Sequence, residues 1–329
     1  MSSADQHSRD FVPRRGMRSA HAQTIAGWAM PRRLALPPPE DRLFSVAPDA
    51  QVLCRCHWQS DRQPRLTLIV VHGLEGSSES RYVLGTANKA WAAGMNVVRM
   101  NMRNCGGTER LSRTLYHSGM SADVGAVAAA LADHDHVTRM ALAGFSMGGN
   151  LVLKLAGEWG SAPPGQVAAV AAISPAMDLG PSADALHAFG NRLYEWNFLY
   201  GLRRRMRHKA RLFPDVFGDV TLGGLGSVRD FDDRVTAPYC GFQGAEDYYA
   251  RSSASGVVDK ITVPTLVVYS LDDPFIRVLP ATHEKLRANR NIRLIETAHG
   301  GHCGFLAAPN GYDGRWAEQQ VVNFVGEFA

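Results

Sequence analysis

The stretch that decides the fold is LAGFSMGGNLVLKLAG, residues 142–157, in which a strand-like apolar run passes directly into a helix-like one. Between the two runs, Gly144-Phe145-Ser146-Met147-Gly148 fits the pattern G-x-S-x-G. A sharp turn from strand to helix forces its central residue into a strained backbone, and side chains at the two glycines would clash with the adjacent chain. The pattern therefore predicts that Ser146 is presented at the carboxyl edge of a sheet as a nucleophile.

Short apolar runs alternate with helical patterns on either side of this turn. Strands are predicted at residues 66–73, 96–103, 137–144, 166–174, 265–270 and 292–298, and helices at 121–134, 147–159 and 315–328. Most of the strand-like runs lack strict alternation of polar and apolar residues, as expected of strands that are buried on both faces. We therefore predict an α/β fold with a mostly parallel central sheet flanked by helices.

One long interval interrupts this alternation and suggests an insertion. We predict an N-terminal extension with the first strands at 1–64, a core segment at 65–178, a helical cap insertion at 179–263 and a second core segment at 264–329. Because an insertion at this place emerges above the nucleophile, the cap should line an acyl tunnel that Trp196 or Phe198 closes. Its mixture of aromatic and basic residues fits either a solvated helix packed on the core or an element that contacts an anionic membrane.

The remaining members of a catalytic triad are expected after later strands. A serine hydroxyl needs a base, and the base needs an orienting carboxylate, in the chain order Ser, Asp or Glu, His. Asp272 and Asp273 follow one predicted strand, and His299 and His302 follow the last. Asp273 is favoured because it precedes Pro-Phe-Ile, and His302 is favoured because the glycines around it let the ring reach inward. Asp272 and His299 are the alternatives.

Two backbone N–H groups are needed to bind the oxyanion of a tetrahedral intermediate. Met147 follows the nucleophile and supplies one of them, and Leu74 in the loop His72–Ser78 is the candidate for the other. A carboxylate beside this site would repel the developing negative charge. We therefore expect Glu75 to point away from it, into hydrogen bonds elsewhere.

Several sequence blocks in this order resemble the YheT-like branch of the α/β-hydrolase superfamily, bacterial relatives of eukaryotic α/β-hydrolase-domain lipases and esterases. The blocks are HAQTI (21–25), VVHGLEGSSESRY (70–82), MNMRNCGGTE (100–109), LYHSG (115–119), GFSMGGN (144–150), LDDPF (271–275) and GGHCGF (300–305). The resemblance implies a triad of Ser146, Asp273 and His302. It also implies activity on carboxylic esters, including lipid or medium-chain acyl esters.

Composition narrows the remaining possibilities. A net charge of +4 is too small and dispersed to indicate nucleic-acid binding. The five cysteines match no disulfide framework, and there is no apolar signal-like run, so we expect a cytoplasmic protein. The predicted chemistry requires no metal and no organic cofactor. Acyl transfer or perhydrolysis with the same triad, and a non-catalytic binding protein that retains the fold, are the alternatives.

Overall fold

Eight strands form the centre of the protein, in a computed structural model that describes residues 11–329. The first ten residues of the predicted segment 1–64 lie outside the described residues. The strands are Glu40–Ala47 (β1), Ala50–His57 (β2), Thr67–Val71 (β3), Asn96–Met100 (β4), Met140–Phe145 (β5), Val167–Ile173 (β6), Thr265–Ser270 (β7) and Ile292–Thr297 (β8). Their spatial order is β1-β2-β4-β3-β5-β6-β7-β8. β1 pairs with β2 and β2 with β4 in antiparallel fashion, and β3 to β8 run parallel.

Helices connect and cover the strands. They are Ala20–Ala29 (α1), Arg81–Ala92 (α2), Ser121–Asp135 (α3), Met147–Trp159 (α4), Leu179–His187 (α5), Arg192–Leu212 (α6), Pro214–Phe217 (α7), Val228–Phe231 (α8), Ala237–Tyr239 (α9), Ala245–Ser252 (α10), Pro280–Ala288 (α11) and Trp316–Gly326 (α12). Single 3₁₀ turns lie at Glu109–Leu111, Phe189–Asn191, Ala254–Gly256 and Val258–Lys260, and a π-helical turn lies at Asp232–Thr236. Among residues 11–329, no helix is both long and apolar enough to cross a bilayer.

The sheet separates two apolar cores because its strands are buried on both faces. In β3, Ile69 and Val71 point into a core shared with α3 and α4. Leu68 and Val70 point to the opposite face, where α2 and α12 pack. Apolar runs without alternation are the expected signature of such strands. The predicted α/β fold with a mostly parallel sheet is confirmed, and each predicted strand and helix occurs.

Residues 179–263 contain helices and no strand, and we call this stretch the cap segment. Leu199, Leu202 and Met206 of α6 belong to a third apolar cluster, which also includes Phe275 from the loop after β7. The cap segment is therefore packed against the edge of the sheet where the parallel strands end. The loops after β3, β5, β7 and β8 all open at this edge, which is where ligands bind in folds of this type.

Candidate active site

The turn between β5 and α4 places Ser146 at the carboxyl edge of the sheet. The Ser146 backbone has φ 55° and ψ −119°, a conformation that non-glycine residues rarely adopt. A Cβ at Gly144 would overlap with the backbone of Gly148, and one at Gly148 with the carbonyl oxygens of Val71 and His72. The close approach of the three chains explains both glycines of the motif. The positive end of the α4 dipole also lies at this turn and favours negative charge there.

Asp273 and His302 form a largely buried pair in the loops after β7 and β8. His302 Nδ1 lies 2.9 Å from Asp273 Oδ2, and their side chains are 11% and 1% exposed. Asp273 Oδ1 accepts two further bonds, from the N–H groups of Phe275 at 3.1 Å and Ile276 at 2.9 Å. These bonds fix the carboxylate, so that Nδ1–H of the imidazole is the donor and Nε2 is left as the basic nitrogen.

The electrostatic environment of His302 favours its charged form. Burial by itself lowers the pKa of His302, but interactions with Cys303 and Asp273 outweigh burial and raise the pKa above its usual 6.5. Once it is neutral, the imidazole is therefore a strong acceptor for the proton of a neighbouring hydroxyl. This is the property that a general base needs during the reaction.

Ser146 Oγ and His302 Nε2 do not form a hydrogen bond in this structure. Ser146 Oγ makes no hydrogen bond with any residue in the range 11–329. The recorded neighbour of His302 Nε2 is instead Cys303 Sγ, at 3.7 Å. The structure thus contains the Asp273–His302 half of the predicted triad, with Ser146 presented at the same edge.

The alternative acid and base, Asp272 and His299, form a separate pair. Asp272 Oδ2 lies 3.3 Å from His299 Nδ1, and Oδ1 accepts the Gly301 N–H at 2.9 Å. Asp272 is therefore bound to the backbone of the loop after β8 (residues 298–306, the histidine loop) and does not contact the His302 ring. The geometry supports Asp273 and His302 over these two alternatives.

Two unpaired backbone donors lie beside Ser146. Neither Leu74 N–H nor Met147 N–H donates a hydrogen bond within the described part of the chain. The loop that carries Leu74 is fixed by His72, whose Nε2 accepts the Met102 N–H at 3.1 Å and whose Nδ1 lies 2.7 Å from Gly73 O. Burial lowers the pKa of His72 to about 4, so this ring stays neutral. Both predicted oxyanion donors are thus available.

Glu75 points away from these donors, as expected. Its Oε1 accepts hydrogen bonds from Tyr116 Oη at 2.7 Å and from Arg205 Nε at 3.0 Å. Arg205 belongs to α6 and also donates to the carbonyl of Asn104. The ion pair therefore joins the loop after β3, which carries Leu74, to the cap segment. The sequence did not reveal this contact, because the partners are 130 residues apart.

A cavity of about 120 Å³ opens beside Ser146 and extends under the cap segment. Its walls are mostly apolar, and those from the cap segment include Leu179, Ala183, Leu186, Phe198, Leu202, Met206, Val228 and Phe231. Of the two rings proposed to close a tunnel, Phe198 lines the cavity. Trp196 does not, because it lies on the outer face of α6 and is 65% exposed. The expectation for Trp196 is therefore wrong, and that for Phe198 remains.

The histidine loop also rests on helix α1, which sequence reasoning did not connect to the site. Thr24 Oγ1 accepts the His302 N–H at 2.8 Å. The fully buried Gln23 side chain holds both backbone groups of Leu306, accepting from N–H at 2.6 Å and donating to O at 3.2 Å. The only available signal was the block HAQTI, because a buried glutamine leaves no apolar periodicity.

The sequence is similar to that of a known protein family and of proteins that have names. A family model described as alpha/beta hydrolase fold matches residues 67–309. The chain is 31% identical to the "Putative esterase YheT" of Escherichia coli (strain K12), covering 97% of this chain and 93% of that protein. It is 27% identical to "Phospholipase ABHD3" of Mus musculus, over 79% of this chain and 61% of that protein.

Solved structures share the fold at lower sequence similarity. The esterase Pf2001 of Pyrococcus furiosus superimposes with a TM-score of 0.58 at 15% identity, covering 90% of this chain and 98% of the other. At this identity the likeness concerns the arrangement of strands and helices alone.

Proposed function

Because the chain belongs to the α/β-hydrolase family and is a carboxylic ester hydrolase of the YheT-like branch, we propose that Ser146, His302 and Asp273 are its catalytic triad. The observation that carries this proposal is the buried 2.9 Å contact between Asp273 and His302, on the same sheet edge as the strained turn at Ser146.

The proposed reaction proceeds through an acyl-enzyme. Ser146 Oγ attacks the carbonyl carbon of the ester while His302 Nε2 takes the hydroxyl proton. The tetrahedral intermediate places its oxyanion on the N–H groups of Leu74 and Met147. Collapse of the intermediate expels the alcohol, which receives the proton from His302. A water molecule, deprotonated by His302, then attacks the acyl-enzyme. The second tetrahedral intermediate collapses, His302 returns the proton to Ser146 Oγ, and the carboxylic acid leaves.

The proposed role of Asp273 is to orient the imidazole and stabilise the imidazolium ion. Its carboxylate is acceptor to His302 Nδ1 and to two backbone N–H groups, which leaves no freedom for it to turn away. This mechanism needs only groups of the chain itself, the ester and water.

The acyl group of the substrate should be apolar. The walls beside Ser146 are largely aliphatic and aromatic, and burial of each methylene contributes about 0.8 kcal/mol. We propose lipid or medium-chain acyl esters as the substrate class, in line with the similarity to the mouse phospholipase. We further propose a cytoplasmic location, since all five cysteines are free thiols.

Covalent labelling with a fluorophosphonate tests the nucleophile. We expect the wild-type chain to be labelled and Ser146→Ala to lose both labelling and esterase turnover, by orders of magnitude, with its fold intact. Ser182→Ala is the matched control, because Ser182 lines the same cavity without a strained backbone. Turnover of Ser146→Ala within about tenfold of wild type would remove Ser146 from the mechanism.

A further inference from the structure

The outer face of helix α6 exposes large apolar side chains to water. Leu193, Trp196 and Tyr200 recur at intervals of three and four residues, which places them on one face of the helix. Leu193 is 83% exposed, and Phe189, in the turn before the helix, is 93% exposed. Contiguous apolar surface of this kind marks a contact site for another molecule.

The same face continues towards the helix C-terminus as a row of arginines. Arg204, Arg207 and Arg211 follow Tyr200 at the same three- and four-residue intervals. Together with Arg192 they have no hydrogen-bond or ion-pair partner within residues 11–329. The one carboxylate of the helix, Glu195, is buried. The exposed face thus presents four unpaired positive charges and no negative charge.

Helix α1 lies beside α6 and exposes two more apolar side chains. Ile25 and Trp28 are exposed and lie four and seven residues after His21, on the same helix face. His21 Nδ1 contacts Tyr194 Oη of α6 at 3.0 Å, so the two helices meet there. We define the docking surface as the apolar residues Ile25, Trp28, Phe189, Leu193, Trp196 and Tyr200 with the arginines 192, 204, 207 and 211.

We propose that the docking surface binds the surface of a membrane that contains anionic lipids. Tryptophan and tyrosine are enriched at membrane–water interfaces, and the guanidinium group forms paired hydrogen bonds with phosphate. A basic helix with an apolar side is the element that lies in such an interface. A second copy of the chain fits poorly, because it would bring four more arginines against the first four.

The docking surface lies on the helix that also lines the cavity, so membrane binding would bring lipid esters close to Ser146. Helix α6 carries the docking surface on its outer face, while Phe198, Leu202 and Met206 on other faces line the cavity beside Ser146. A lipid ester leaving the membrane under this helix would reach the cavity directly. This last step rests on the proposed function, whereas binding to the membrane does not.

Vesicle binding of the full-length Ser146→Ala protein tests the proposal without hydrolysis. We expect co-sedimentation with vesicles of mixed phosphatidylcholine and phosphatidylglycerol, weaker binding to phosphatidylcholine alone, and release by added salt. Each charge at a membrane surface contributes about fivefold to binding, so Arg204→Gln with Arg207→Gln should weaken it about thirtyfold. Trp196→Ala should weaken it at constant charge.

The matched control is Arg287→Gln with Arg290→Gln. These exposed arginines precede β8, at the opposite edge of the sheet, and their removal changes the net charge equally. We expect this control to bind as the unmodified protein does. Equal losses in both double variants, or no binding to anionic vesicles, would overturn the proposal. A dimer in solution that dissociates in Trp196→Ala would also overturn it, because the surface would then bind a second copy of the chain.

Hydrolysis of a soluble short-chain ester is measured separately in the Ser146-containing forms of these variants. Unchanged turnover with lost vesicle binding is the expected result, and it also shows that the variants are folded. An inactive enzyme that still binds vesicles would contradict the proposed function and leave the docking surface in place.

Discussion

At the scale of single residues, two adjacent carboxylates have different partners. Asp273 contacts the ring of His302, while Asp272 contacts His299 and the Gly301 backbone. Asp272 thus holds the histidine loop in place, whereas Asp273 has the geometry for catalysis. The difference arises because Asp273 is turned inward by the N–H groups of Phe275 and Ile276.

We expect Asp273→Asn to lower kcat on the order of 10⁴-fold, because an amide at this position favours the wrong imidazole tautomer. The pKa of His302 is raised above 6.5, and the base must be neutral, so the acid limb of kcat/KM should lie above that pH. Without the Asp273 charge the pKa falls, and the residual activity should show its acid limb at lower pH. A pH profile of both proteins measures this.

Asp272→Asn is the matched control, because its amide oxygen can still accept the Gly301 N–H. Its loss of kcat should stay within about tenfold, since no group in contact with the substrate changes. If the larger loss follows Asp272→Asn, the acid has been assigned to the wrong residue.

The sequence predicts the pair of Asp273 and His302, but not the contacts that hold the surrounding loops in place. The convergence of loops after neighbouring parallel strands predicts that an aspartate and a histidine meet at one edge. The Pro-Phe-Ile run and the flanking glycines then favour Asp273 and His302. The contacts of Arg205 with Glu75 and of Thr24 with His302 join segments that are far apart in the sequence, so no local pattern predicts them.

At the scale of elements, helix α6 separates two environments. Phe198 lines the cavity, whereas Trp196, two residues earlier, is in water. Composition showed an aromatic, basic helix in the cap segment, but not which ring points inward. The helix has apolar residues on both its buried and its exposed faces, so periodicity alone could not distinguish them.

We expect Phe198→Ala to shift the acyl-chain preference towards longer esters, because removal of the ring lengthens the apolar cavity. For wild type, kcat/KM should rise several-fold per added methylene until the cavity is full, following about 0.8 kcal/mol per buried CH₂. A series of p-nitrophenyl esters of graded chain length locates this limit.

Trp196→Ala is the control for this series, since its ring lies outside the cavity. Its chain-length limit with soluble esters should equal that of wild type. A profile that stays flat in all three proteins, or a limit that moves in Trp196→Ala alone, would show that the inner face of α6 does not set the preference.

At the scale of the whole molecule, helix α1 and the loop after β8 meet behind the active site. Gln23 and Leu306 are 283 residues apart and share two hydrogen bonds. Gly304 lies so close to α1 that a Cβ there would overlap with the Gln23 carbonyl. The alternation of strands and helices predicted the sheet, because it follows from local burial. It does not predict the contact between α1 and the histidine loop, because the buried residue of α1 is the polar Gln23 and leaves no apolar pattern.

We expect Thr24→Val to lower kcat by about tenfold to a hundredfold with little change in KM, because a small displacement of His302 impairs proton transfer. Valine keeps the volume of threonine but leaves the His302 N–H without its acceptor, at a cost of about 1–3 kcal/mol. Thr24→Ser retains the hydroxyl and should restore kcat, which a purely packing role would not. Steady-state kinetics on a soluble ester, with thermal unfolding of each protein, measures both effects. If kcat of Thr24→Val equals wild type, or Thr24→Ser loses as much, then α1 supports the fold without positioning the histidine.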